Sequence, residues 1–301
     1  MKDHVCKMRH ITTLMQCTCI LSFLFIVYNL AKYHIHDKRT DVPLQAQKQI
    51  IGSSENRSNT PELVPKSCTS NYSYIDFGTS MTPEQLERVE HCMINYNTDG
   101  AKGLQQTHAD KNIRYKSHSY LNSNSFMIEA GGHQGLDANE FNSRYHPGVY
   151  VILEPVAEFF EILKQKFKNS SNIVLYNFGV DVRNRTFLVN RGDDATSIFS
   201  KHKGNVKLQI LAVSRFFEML RISEKKVDLI TLNCEGCEYA ILDYLLSTNN
   251  IHQFRNIQFQ SHRVPAVCHP VKRFCWYQEL LPKTHKLVFQ HKFWWESWTE
   301  K

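Results

Sequence analysis

Phe126-Met127-Ile128-Glu129-Ala130-Gly131-Gly132-His133-Gln134-Gly135 reads as a short apolar strand that runs directly into a glycine-rich turn, after which the pattern turns helical over residues 136–145. A second apolar run, residues 149–153, ends in Glu154-Pro155. Glycines at a strand-to-helix turn let backbone N–H groups approach a ligand, and an acidic residue at the tip of the next strand can accept both hydroxyls of a ribose. The layout predicts a nucleotide-type cofactor site, and with it an enzyme.

From this unit onward, short apolar runs alternate with amphipathic stretches, the signature of a parallel sheet flanked by helices. Strands are expected over 125–130, 149–154, 173–179, 206–212, 227–233, 254–260 and 286–294, and helices over 136–145, 156–168, 214–222, 238–247 and 275–281. Val156, Phe159, Phe160, Leu163 and Phe167 recur at helical spacing and read as core. Upstream, Thr82-Pro83-Glu84-Gln85 has the form of a capping box with proline at the first helical position, predicting a helix to about Tyr96 and a domain spanning residues 81–301.

The spacing of Gly131 and Gly135 does not meet the G-x-G-x-x-G dinucleotide fingerprint. Tyr28 and Lys32, the only Tyr-x-x-x-Lys pair, lie far from the glycine turn, so a nicotinamide enzyme is disfavoured. A second constellation follows the run at 227–233: Asn233-Cys234-Glu235-Gly236-Cys237-Glu238 places two carboxylates where a strand opens into a helix. In α/β folds that end of a strand carries chemistry, although acidic groups there also complement a helix dipole. The Cys-x-x-Cys within it fits a redox motif, but it follows a complete glycine-turn unit and not an early strand, and no common zinc spacing is present. The aromatics Phe293, Trp294, Trp295 and Trp298 read as core more readily than as a sugar-stacking surface.

Together, Glu129-x-Gly131-x-x-x-Gly135, Glu154-Pro155 and Leu232-Asn233-Cys234-Glu235-Gly236-Cys237-Glu238 occur in the order seen in the FkbM family of S-adenosylmethionine-dependent methyltransferases, which this chain resembles over about residues 120–298. That family shows Asp-x-Gly-Ala-Asn-x-Gly, then Glu-Pro, then Ile-Asp-x-Glu-Gly-x-Glu. Here Glu129 stands for the first Asp, Gly132-His133 for Ala-Asn, and Asn233 for the later Asp. The resemblance implies a Rossmann-like methyltransferase fold, a mainly parallel seven-stranded sheet with flanking helices, and O-methyl transfer from S-adenosylmethionine. It assigns Glu129, Gly131 and Gly135, with Gly132 in the same turn, to the methionine end of the cofactor, and Glu154 to its ribose. Glu235, Glu238 and His262 are the candidates for any base. The acceptor is expected to be a hydroxyl of a glycan or small metabolite. An inactive binding protein on the same fold and a Golgi glycosyltransferase are the rival readings, the latter without an Asp-x-Asp motif.

The bulk numbers are compatible with this. At 301 residues and 42% apolar content the chain can build one core with appendages. The net charge of +7 comes from 36 scattered basic residues without a basic run, which argues against nucleic acid. Residues 11–30 carry no charge over about the length that spans a bilayer, predicting a signal anchor behind a short tail at 1–10 and ahead of a polar stem at 31–80. Sequons at Asn56, Asn71, Asn169 and Asn184, and an even set of six cysteines beyond the anchor, point to a luminal domain in the Golgi or endoplasmic reticulum. Cys68 with Cys92 and Cys268 with Cys275 are the expected disulfide pairs. No metal site is expected.

Overall fold

The capping box predicted at Thr82 forms: its side chain accepts from the Gln85 amide at 3.3 Å, and the Gln85 side chain accepts from the Thr82 amide at 3.0 Å. It opens helix α1 (Pro83–Ile94), followed by α2 (Tyr96–Ala109) and a single turn, α3 (Ile113–Lys116). In the computed structural model the described residues are 81–189, 206–264 and 267–301. The readings for residues 1–80 lie outside them. Among the described residues no helix is long and apolar enough to cross a membrane.

Beyond α3 the chain runs β1 (Phe126–Ala130), α4 (Leu136–Tyr145), β2 (Val149–Leu153), α5 (Ala157–Lys166), β3 (Ile173–Tyr176), β4 (Gly179–Asp181) and β5 (Arg185–Val189). It continues through β6 (Val206–Ala212), α6 (Val213–Met219), β7 (Leu229–Leu232), α7 (Cys237–Ser247) and β8 (Asn256–Gln260). Helix α8 (Pro270–Leu280) and the strands β9 (His285–His291) and β10 (Trp295–Glu300) complete it. Seven strands form the main sheet in the order β3-β2-β1-β7-β8-β10-β9. β1, β2, β3, β7 and β8 pair in parallel, whereas β10 runs antiparallel to both β8 and β9.

Burial on both faces explains the unbroken apolar runs of the central strands. In β1 the side chains alternate between two cores: Ile128 and Ala130 join Ile230, Leu232 and residues of α6, α7 and α8, whereas Met127 joins Tyr150, Ile152, Phe141 and Leu163 under α4 and α5. Phe159, Leu163 and Phe167 of the α5 stripe are buried as expected, and so are Phe293, Trp295 and Trp298.

Three expectations about strands change. Residues 206–212 are a strand, but in a separate sheet of order β4-β6-β5, not in the main one. Their burial alternates, with Leu208 and Ile210 inward and Lys207 and Gln209 outward, which suits a sheet covered on one face only. The run 173–179 splits into β3 and the start of β4. The single strand expected at 286–294 is a hairpin: Phe293 adopts a left-handed φ of 64° and turns the chain back through β10.

The disulfides differ too. Cys92 of α1 bonds Cys275 of α8, 183 residues away, so neither Cys68–Cys92 nor Cys268–Cys275 can form. Closing so long a loop removes denatured-state entropy equivalent to about 5 kcal/mol in the chain-entropy picture. Proximity in sequence misled the pairing; α1 packing on α8 decides it.

Candidate functional site

Strand order reverses between β1 and β7, and in open α/β sheets the crevice beyond the carboxyl ends at such a reversal is where ligands bind. A cavity of about 370 Å³ lies there. Gly131, Gly132 and His133 line it from the turn after β1, Glu154 and Val156 from the end of β2, and Asn233, Cys234 and Glu235 from the end of β7. Leu208 and Ile210 of the small sheet and Phe159 of α5 add an apolar wall.

The glycine turn is built for close packing. Gly131 has φ 96°, and a Cβ on it would lie 2.0 Å from the Asn233 carbonyl oxygen; a Cβ on Gly132 would meet Ile152 at 2.5 Å. Its amides are committed within the protein, which corrects the expectation that they are turned toward a ligand. Gly131 and Gly132 both donate to the Leu153 carbonyl at 3.0 Å, and Gly135 donates to the Gly132 carbonyl at 2.7 Å. The turn therefore shapes the cavity wall and knits β1 to β2. Gly135, with φ 70°, does not line the cavity and seats Leu163 and Phe167.

Glu154 is 4% exposed and held by two amides, accepting from His133 N–H at 2.7 Å on Oε2 and from Val156 N–H at 2.8 Å on Oε1. Burial pushes its pKa up to about 7, against the pull of those two amides. Each oxygen keeps a second lone pair for a ligand hydroxyl.

Glu129 is fully buried beneath the turn and does not itself line the cavity. Tyr150 donates its hydroxyl to Oε2, while Oε1 has no hydrogen-bond partner. Burial first, then the nearby Asp137, pushes the pKa of this carboxyl well above the ordinary range. Asp137 and Arg114 do line the cavity. Arg114 grips Asp137 through both terminal nitrogens, Tyr115 donates to Asp137 at 2.6 Å, and the guanidinium stacks 4.5 Å over Trp295. Neither residue was singled out from the sequence. Arg114 sits in a one-turn helix with no motif around it, and Asp137 looks like an ordinary acidic group in a first helical turn.

The later motif resolves into a chain of charges. Glu238, buried at the start of α7, accepts from the amides of Gly236 (2.9 Å) and His262 (3.0 Å), and from His262 Nδ1 at 3.1 Å. His262 Nε2 lies 3.2 Å from Glu235 Oε1. Burial lowers the imidazole pKa, but Glu238 and Glu235 outweigh it and raise the value to about 10, so His262 is an imidazolium and no general base at neutral pH. Of the three sequence candidates only Glu235 reaches the cavity; Glu238 and His262 stand behind it. Cys234 and Cys237 are joined in a disulfide beside Glu235. Among the described residues no cluster of His, Cys, Asp and Glu could hold a metal ion.

No family model and no curated protein matches the sequence. Among solved structures, the chain is similar to the methyltransferase FkbM from Methylobacillus flagellatus at 10% identity and a TM-score of 0.43, covering 72% of this chain and 59% of that one. A putative methyltransferase from Streptococcus mutans in complex with SAH shares 9% identity at a TM-score of 0.39, covering 63% and 97%. The O-methyltransferase from Bacillus cereus in complex with SAH shares 11% at 0.32, covering 74% and 94%. The chain thus spans less than two thirds of the first of these.

Proposed function

We propose that the chain is an S-adenosylmethionine-dependent methyltransferase acting on a hydroxyl of a glycan or small metabolite. The observation that carries the reading is Glu154: a buried carboxylate at the tip of β2, oriented by two amides beside a glycine turn, on a cavity at the sheet's reversal point. The cavity volume falls in the roughly 300–1,000 Å³ range of small-molecule sites.

The residues present fit the cofactor. Glu154 would hold the ribose hydroxyls, and Val156, Phe159 and Ile210 offer an apolar slot for the base. The Arg114–Asp137 pair supplies both signs of charge for an α-amino acid, a role that the resemblance gave to Glu129; Glu129 instead braces the turn through Tyr150. When bound, S-adenosylmethionine supplies an electrophilic methyl on a sulfonium. Glu235 is placed to accept the acceptor's proton, His262 fixes Glu235 from behind, and Glu238 orients His262. Alignment then contributes much of the rate. The two disulfides support an oxidising lumen, with residues 11–30 as the anchor.

Calorimetry with S-adenosylhomocysteine, followed by label transfer from methyl-labelled S-adenosylmethionine to glycan and metabolite fractions, tests this. Binding with transfer is expected. Binding without transfer to any fraction favours a non-enzymatic binding protein, and no binding ends the proposal.

His262→Gln is expected to lower kcat at least tenfold while leaving the KM for the methyl donor within about threefold, as befits a residue acting through Glu235. The charge chain also makes stability depend on pH. A folded pKa of about 10 exceeds the ordinary value of 6.5, so the contribution of His262 is full below about pH 6.5 and is lost as pH rises toward 10. Urea denaturation of the wild type and His262→Gln at pH 6, 8 and 10 should show the gap between them closing; a constant gap refutes the ion-pair assignment.

A further inference from the structure

The Cys234–Cys237 disulfide closes a small ring around Glu235 and Gly236, and both half-cystines are half-buried and line the cavity. Within the ring, Glu235 has φ 54° and Gly236 φ 118°, two consecutive left-handed residues of which the first has a side chain that disfavours that region. The same ring holds the Glu235 carboxylate against His262 and follows directly on Asn233, whose carbonyl packs on Gly131. One covalent bond thereby fixes two of the cavity's walls.

We propose that this bond is a redox switch on the site: a small dithiol entering the cavity opens it, and opening releases Glu235 from His262 and frees the Asn233 carbonyl from its packing on Gly131, the second of which weakens methyl-donor binding. The second half of this statement rests on the methyltransferase reading; the first does not. In the exchange, a thiolate of the dithiol attacks Cys234 Sγ, the S–S bond breaks, and Cys237 leaves as a thiolate. Cys237 is the first residue of the 11-residue α7, where the helix dipole favours negative charge. The second thiol of the reagent then attacks the mixed disulfide, forming its own S–S bond and freeing Cys234. Two electrons pass from the dithiol to the protein, and two protons end on the cysteine thiols. With the ring open, Glu235 can relax to negative φ and its carboxylate leaves His262.

The other disulfide provides an internal control, because Cys92 and Cys275 are buried at 9% and 1% and do not line the cavity. The full-length protein is titrated with dithiothreitol, and differential alkylation with peptide mapping reports which bond has opened. Two readouts follow: S-adenosylhomocysteine affinity by calorimetry, and hydrogen exchange of the Gly236 amide, which donates to Glu238. Selective opening of Cys234–Cys237 is expected to weaken binding at least tenfold and to speed Gly236 exchange at least tenfold. The Cys234→Ser/Cys237→Ser variant should bind weakly in both redox conditions. Resistance of Cys234–Cys237 to the dithiol while Cys92–Cys275 opens overturns the switch, as does unchanged Gly236 exchange after opening. Equal affinity in the two states overturns its control of the site. If the oxidised protein binds no S-adenosylhomocysteine, the methyl-donor reading fails while the exchange data still decide the switch.

Discussion

Replacing Glu154 with alanine should weaken S-adenosylhomocysteine binding by about a hundredfold or more. Hydrogen bonds to a charged group contribute roughly 1.5–3 kcal/mol each, and two ribose hydroxyls on one carboxylate give about 3–6 kcal/mol, or two to four decades of affinity at about 1.4 kcal/mol per decade. The substitution also strands the His133 and Val156 amides that now position the turn. Glu154→Gln does little better, because an amide nitrogen must then face one of those two N–H groups. Since burial sets the free carboxyl near 7, and the ionised form is the better acceptor for hydroxyls, wild-type affinity should rise severalfold between pH 6 and pH 8. That rise should vanish in the alanine variant. An unchanged Kd for Glu154→Ala, measured by calorimetry on protein with native circular dichroism, would remove the ribose assignment.

The largest stability effect is expected at a buried ion pair that does not line the cavity. Arg273 of α8 is buried against Asp243 of α7, which is fully buried and also accepts from the Tyr277 hydroxyl at 2.6 Å. The guanidinium lies over the Tyr239 ring at 5.1 Å. Arg273→Met leaves Asp243 charged in an apolar interior, and breaking such a pair costs about 3–5 kcal/mol. For a domain of this size each kcal/mol moves Tm by roughly 2–4 °C, so a fall on the order of 6–20 °C is expected by calorimetry. The pair need not be stabilising as such. Arg273→Met combined with Asp243→Leu and Tyr277→Phe should recover most of the loss, because it removes the stranded charge along with its partners. A single variant that melts within a degree or two of wild type would refute the assignment of Arg273 and Asp243 as a buried ion pair.

How far the sequence anticipates these features depends on how local each one is. β1, β2, α4 and the capping box at Thr82 were legible because periodicity, glycines and capping residues act within a few positions. The apolar run of β6 marks it as a strand, and the alternation of Lys207 and Gln209 with Leu208 and Ile210 signals a half-exposed face, but its place in a second sheet depends on pairing with β4 and β5 that no local pattern encodes. The β9–β10 hairpin turns at Phe293, a residue that announces no turn. In the site, Glu154 and Glu235 carried local motif signals. Arg114 did not, because it reaches the cavity only through the packing of α3 against β10. The roles of Glu238 and His262 likewise depended on which nitrogen meets which oxygen across 24 residues of chain, which spacing cannot show.

The Cys92–Cys275 bond has a mechanical consequence. A pull applied between a residue before Cys92 and one after Cys275 is carried by the sulfur–sulfur link, so the residues between them, with β1 through β8 and every residue lining the cavity, lie in a slack loop. Along the backbone, tension passes through the chain outside that loop, which includes the start of α1, the end of α8 and the β9–β10 hairpin. The binding cavity is shielded from traction along its own backbone for as long as that one bond stays closed.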